Sequence, residues 1–286
     1  MKKLLSLYCI TVLFLITAIY GTLSKKEGEN IDRQEIVLLN PKYAQLVDFI
    51  TIRSEDTLTI QNYLSGTIGS YNNLVFPVNS IKFNEFILLS SSKIKAQVLN
   101  KPSKSSKLST LVDELVVQFS SLSDNKLYSD LIFGNVDFSG TRRHVKSRKN
   151  DRAFLIHDYY YSFLQTNPRA WLDSKLIPDF LLEGEIISIS ITHDKFTTEY
   201  LRDDILFKKI LADVRSLQSS NIVSPIKNLE LPLHTITMQF RNKSEEIIEI
   251  FKKGENYIVI PQNNQLFYGL EISQWTYEKL LKSFQI

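Results

Sequence analysis

Cysteine is nearly absent from this 286-residue chain: Cys9 is its single example. Beyond residue 9 there is therefore no disulfide framework, no thiol nucleophile and no cysteine-ligated metal site. Glycine is sparse as well, at 9 residues, and neither GxGxxG nor GxxxxGK[ST] occurs, so no phosphate-cradling loop is encoded. Gly66 and Gly69 lie in LSGTIGSYNN, which lacks the lysine of such a loop and reads as a turn-rich connection. Histidine is limited to His144, His157, His193 and His234, and none forms an HxH or HExxH pair that would bring two imidazoles to one metal. His193-Asp194 reads as a turn, with the aspartate tolerating the special backbone angles. No GxSxG elbow is present, and the serines are spread over polar loops such as 100–107 (NKPSKSSK).

Charge of one sign is also lacking. The chain has 34 basic and 31 acidic residues. Leaving out Lys2 and Lys3, 32 basic residues face 31 acidic ones. A near-neutral body argues against nucleic acid as a partner, because affinity there comes from neutralising phosphates. No cofactor and no catalytic set is indicated. Glu183 and Glu185, flanking Gly184, are the carboxylates that an unconventional envelope hydrolase would use, and Asp203-Asp204 stand where a helix begins and complement its dipole.

A long hydrophobic run is present at one place. Residues 4–23 (LLSLYCITVLFLITAIYGTL) contain no charge, and at about 1.5 Å per residue they match the thickness of a bilayer's hydrocarbon core. Lys2 and Lys3 ahead of it favour an inside N-terminus, opposed weakly by Lys25 and Lys26. The expectation is an uncleaved anchor: a single-pass protein of the cytoplasmic membrane with its bulk in the periplasm or extracytoplasmic space. Two other readings are a cleavable signal ending near Thr22-Leu23-Ser24 and a buried helix. A lipoprotein would need its cysteine after the run, and Cys9 lies inside it.

The body is patterned twice. Alternation at 47–53 (VDFITIR) and 58–63 predicts a hairpin, followed by a helix over 80–99. Hairpins follow at 111–119 with 126–133 and at 142–147 with 152–156, then a short helix at 159–165. The order recurs: 186–191 with 196–200, a helix at 205–217, strands at 234–241 and 246–252, a hairpin of 257–260 with 265–268, and a helix at 273–284. The expected fold class is α+β: an N-terminal transmembrane helix followed by two tandem copies of an antiparallel sheet-plus-helix unit. The domain reading is 1–24 cytoplasmic tip and anchor, 25–45 juxtamembrane segment, 46–166 first repeat, 167–185 connector and 186–286 second repeat. The connector, NPRAWLDSKLIPDF, has prolines at 168 and 178 and an apolar helix predicted around Trp171, Leu172, Leu176 and Ile177, so it reads as packed rather than flexible.

The densest local charge is RRHVKSRKNDR at 142–152. Arg142, Arg143, Lys146, Arg148, Lys149 and Arg152 stand there against Asp151. Such a hairpin could meet anionic head groups, an acidic wall polymer or an acidic protein surface. Equally, edge lysines and arginines keep a solvated hairpin from pairing with other strands. These six residues and Trp171 are the candidate interaction surface.

Between residues 130 and 191 the succession DLIFGN, a glycine turn at Gly140, AFLIHDYYYSFL, NPRAWLDSKLIPDF and IISISI resembles a bacterial domain-of-unknown-function family. Its members are membrane-anchored extracytoplasmic proteins encoded beside gliding-motility-type ABC transporters. Phe133-Gly134-Asn135, Trp171-Leu172-Asp173 and Leu176-Ile177-Pro178 carry the likeness best. The chain departs from the family in its basic, glycine-poor hairpin at 142–152, where members often show a tyrosine-rich strand. The resemblance implies a non-enzymatic accessory subunit of a gliding-type ABC transport complex, with the permease/ATPase complex as its partner. It carries over no catalytic residue. The other reading is a stand-alone envelope protein that binds a ligand between the two repeats.

Overall fold

The computed structural model describes residues 33–99, 115–137, 139–149, 152–178, 185–219, 221–225, 231–262 and 266–286. The first part of the chain runs β1 (Arg33–Ile36), α1 (Pro41–Ala44), β2 (Phe49–Arg53), β3 (Thr57–Tyr63), β4 (Gly66–Tyr71), β5 (Leu74–Pro77), α2 (Ser80–Ser91), β6 (Ile94–Leu99), β7 (Leu115–Ser121), β8 (Lys126–Val136), β9 (Arg142–Ser147) and β10 (Ala153–His157). The second runs β11 (Ile186–His193), β12 (Phe196–Leu201), α3 (Ile205–Ser216), β13 (Asn221–Val223), β14 (His234–Phe240), β15 (Glu245–Lys253), β16 (Asn256–Pro261), β17 (Gly269–Ile272) and α4 (Gln274–Ser283).

All strand pairings are antiparallel, in two sheets. One has ten strands in the order β1-β6-β10-β9-β8-β7-β2-β3-β4-β5, the other seven in the order β12-β11-β14-β15-β16-β17-β13. The inner part of the first, β3-β2-β7-β8-β9-β10-β6, has the same connectivity as the whole of the second. A hairpin, a helix, an edge strand and a four-strand meander follow one another in both. Two additions distinguish the first sheet: β1 beyond β6, and the β4–β5 hairpin beyond β3.

Period-two patterning explains why these segments are strands. In β2 and β3, Ile50, Ile52, Leu58 and Ile60 are fully buried while the intervening residues are not. Sequence strips with alternating apolar residues bury one face in this way. Asp194 takes a positive φ of 52° at the β11–β12 turn, the backbone freedom expected of it. The α3 helix buries Phe207, Ile210 and Val214 at helical spacing, and α4 is capped by the Ser273 hydroxyl, which accepts from the Thr276 amide at 3.2 Å. Buried residues of both sheets form one contiguous apolar cluster.

The connector fills the seam between the two sheets. On one side the Asn79 amide donates to the Trp171 carbonyl (2.9 Å) and the Asp173 amide to Pro77 (3.0 Å). On the other, Leu176 donates to Leu217 (3.1 Å) and Ser219 to Ser174 (2.7 Å). The Trp171 indole is 0% exposed, packs against Phe86 and Phe163 with ring centroids at 5.9 and 6.3 Å, and donates Nε1–H to the Gln165 carbonyl at 2.8 Å. Lys82 closes this pocket, its ammonium 4.8 Å from the indole centroid and 2.5 Å from the Ala170 carbonyl. A reciprocal pair of backbone bonds between Val75 and Phe267 joins the β5 edge to the second unit.

Several expectations are corrected. Seventeen strands against four α-helices make the described chain predominantly antiparallel sheet, so the α+β class with a transmembrane helix does not hold. Among the described residues no helix is long and apolar enough to cross a membrane. The run at 4–23, on which the single-span reading fell, lies outside the described residues. The membrane as a partner through that span, the single-pass topology and the location derived from it are withdrawn with it.

The helix expected over 80–99 stops at Ser91, because the Ser91 and Ser92 hydroxyls donate back to Leu88 (3.1 and 2.7 Å) and IKAQVL then alternates as a strand. The Gly66–Gly69 segment is strand β4, not a loop: a Cβ on Gly69 would stand 2.7 Å from Phe76, so glycine admits the packing of β5's ring. Among its described residues the connector holds only a 3-10 turn at Pro168–Ala170, since prolines 168 and 178 bound too short a span for a packed α-helix.

Trp171→Ala empties the seam and removes an indole hydrogen bond together. It should lower the unfolding free energy by about 3–5 kcal/mol, read from equilibrium urea denaturation of the full chain.

Candidate functional site at the outer face of the first sheet

The 142–152 hairpin is the structured pair β9–β10, and its cations go to different places. Arg143 is taken up inside: Nε and a terminal nitrogen bind the Asp158 carboxylate in a fork (2.9 and 2.9 Å), and the other terminal nitrogen donates to the Gly134 carbonyl (2.9 Å). With both side chains largely buried, that ion pair is part of the framework. Lys149 donates to the Leu127 and Tyr128 carbonyls (2.8 and 3.0 Å), and Arg148 lies 3.9 Å from Asp130. Lys146 and Arg152 also have partners of their own. Trp171 is buried in the seam, away from any surface. Of the seven residues singled out, Arg142 faces an open cleft on the outer side of the sheet.

That cleft, about 380 Å³ in volume, crosses β1, β6, β10 and β9. Strand register explains its lining. Arg33 pairs with Gln97, Gln97 with Leu155, and Leu155 with His144; Glu35 pairs with Lys95, and His157 with Arg142. Residues two apart on each strand share a face, so Arg33, Lys95 and Arg142 come to one side with Gln97 and His157. Lys93 lies beside them, paired to Glu35 at 3.3 Å. The Arg142 side chain donates a long bond to Gln97 Oε1 (3.4 Å) and helps to hold the Asp137 carboxyl below its usual range, while Glu35 stands across from Lys95 on the same face. Tyr159 forms one wall, stacked on the His157 imidazole at 4.3 Å. An excess of cations around an open cleft makes it electrostatically suited to an anion. Arg33 and Lys95 were missed because they lie far from the hairpin in sequence; only the pairing of β1, β6 and β10 brings them to Arg142.

A second cleft of about 380 Å³ lies beneath the chain leaving β1. Gln34, Ile36 and Leu38 line it with Leu131, Val145 and Phe154. Lys149 and Arg152 line it as well, with Asn40, Ser129 and Ser147.

In the second sheet the structure joins two histidines that the sequence separates. Thr192 of β11 faces Thr235 of β14, so the next pair outward is His193 and His234. Their rings stack at 4.6 Å, His234 Nε2 lies 2.8 Å from the Tyr277 hydroxyl, and Tyr277 stacks on Tyr257 at 3.7 Å. His193 is held by the Leu233 carbonyl (2.9 Å) and by Asp194 (3.5 Å). Burial pushes the His234 pKa down to about 4, helped by the neighbouring His193 and opposed by Asp194. Among the described residues no group of three or more His, Cys, Asp or Glu is placed to hold a metal ion. Glu185 is bound by Arg202 and lies 2.6 Å from Arg241, a clamp at the start of β11; Glu183 lies outside the described residues.

Comparison with known proteins finds no matching family model, no matching curated protein and no matching solved structure.

His234 binds its proton more weakly folded than unfolded. Stability should therefore fall as pH drops from about 6.5 to about 4, by on the order of 2–3 kcal/mol, and this contribution levels off below that. His234→Gln should flatten this part of a thermal-unfolding profile against pH. An unchanged slope in the variant would show that another group controls it.

Proposed function

We propose that the protein is a non-enzymatic docking subunit that takes an anionic partner on the outer face of its first sheet. The observation that carries this reading is the set of Arg33, Lys95 and Arg142, brought from three strands to one open cleft beside Lys93, where cations outnumber the neighbouring carboxylates Glu35 and Asp137. An excess of cations on rigid strands costs self-repulsion, and a complementary acidic surface relieves it. The body behind them is suited to docking, because the connector ties both sheets together with backbone bonds and a buried indole. The complex in question is the one implied by the resemblance over residues 130–191, a gliding-type ABC transport assembly of which this chain is an accessory part. The alternative of a ligand held between the repeats is less favoured, since the seam is occupied by the connector and the two clefts described here lie at the β1 end of the first sheet.

The test is co-purification of the tagged full chain from its native host. Stoichiometric recovery of the other subunits of a transport complex is expected at low salt. Arg33→Glu combined with Lys95→Glu and Arg142→Glu should reduce that recovery about tenfold or more, with thermal stability unchanged. A full chain that elutes alone, or a triple variant that recovers partners as well as the parent, overturns the reading.

A further inference from the structure

We propose that β1 accepts an extended acidic segment of a partner protein as an added edge strand. The proposal rests on the docking reading and specifies its mode. β1 is the outermost strand of the ten-stranded sheet; β6 pairs with one of its edges, and the other has no strand partner among the described residues. At the far end of the same sheet, β5 is already bonded to Phe267. Among the described residues the β1 edge therefore offers a template of backbone donors and acceptors.

Two clefts of equal size meet at this strand. Arg33 opens onto the cationic cleft, and Gln34 and Ile36 open onto the one floored by Leu131, Val145 and Phe154. Side chains of a strand alternate between faces, so a strand laid beside β1 sends every second residue toward each cleft. One set meets Arg33 and its neighbouring cations, the other a mixed lining in which Leu131, Val145 and Phe154 stand beside Lys149 and Arg152. Glu35 shares the outer face with Arg33 and is neutralised by Lys93 at 3.3 Å. An acidic residue is therefore favoured opposite Arg33 and a neutral one opposite Glu35, which fixes the register. The occupant that fits is an alternating peptide with apolar residues on the inner side and one carboxylate on the outer. With only four residues in β1, backbone bonds are few, so the clefts must supply most of the selectivity.

The probe is a fluorescein-labelled Val-Glu-Val-Thr-Val peptide, titrated against the full chain by anisotropy. Two further copies are N-methylated on one or the other alternate set of amides. The comparison peptides are the same residues in the order Val-Val-Val-Glu-Thr and an oligoglutamate of equal length. The alternating peptide should bind, one N-methylated copy should lose about tenfold or more and the other little, because only one set of amides faces β1. Arg33→Glu should weaken binding about tenfold and restore it toward a peptide with Lys in place of Glu. Amides 33–36 should exchange more slowly in the complex.

Equal binding of both N-methylated copies, or of oligoglutamate, overturns strand addition while leaving an anion-binding face in place. Binding that ignores Arg33→Glu overturns the assigned edge. If no anionic probe binds, this proposal and the docking function beneath it both fail.

Discussion

Burial of the Trp171 indole is the contact on which the rest of the molecule depends. The ring sits where the first sheet's helix meets the segment running into the connector, with Phe86, Phe163 and Lys82 against it and the Gln165 carbonyl on its single polar atom. Lys82 reaches it with an ammonium whose pKa is pulled down by burial, an arrangement tolerated because the Ala170 carbonyl and the indole face replace lost water. From there hydrogen bonds run outward in both directions, to Pro77 and Asn79 and to Leu217 and Ser219. Two sheets that could each stand as a layer are thereby made into one body, and the cleft on the first acquires a fixed geometry.

The shared connectivity of the two sheets also shows where function can be added. The common seven-strand order supplies packing in both units. What is peculiar to the first unit lies at its margins: β4 and β5 serve the joint with the second unit, while β1 builds both clefts. The cations of the cleft illustrate the same division. Arg143 is consumed by Asp158 within the sheet framework, whereas its neighbour Arg142, one residue along and on the opposite face, is left available.

Much of the strand pattern was legible in the sequence, because alternation such as FITIR and HTITMQF leaves few other ways to bury isoleucine and phenylalanine. The α3 helix was equally plain from the spacing of Leu206, Ile210, Val214 and Leu217, although it is Phe207 rather than Leu206 that is fully buried. Other features depended on contacts that no local pattern reveals. Gly66–Tyr71 reads as a loop until Phe76 is seen filling the space over Gly69, and α2 ends where serine hydroxyls, not a glycine or proline, turn the chain. Short strands β5 and β13 have too few residues to show a period. For the candidate site, the hairpin composition singled out Arg142 among six cations that it treated as one patch. Their separate fates are set by the face each strand position occupies and by carboxylates brought in from elsewhere. The His193–His234 stack was hidden because neighbours across a sheet can be distant in sequence.

The bonds between Val75 and Phe267 have a consequence for how the chain is made. Strand β5 emerges from the ribosome early, and its final partner is among the last residues synthesised. Throughout elongation that flank of the first sheet is an open, apolar ribbon able to pair with a neighbouring nascent chain. The first unit therefore folds with one side unsealed, and completion of the C-terminal hairpin is the step that ends its exposure to misassembly.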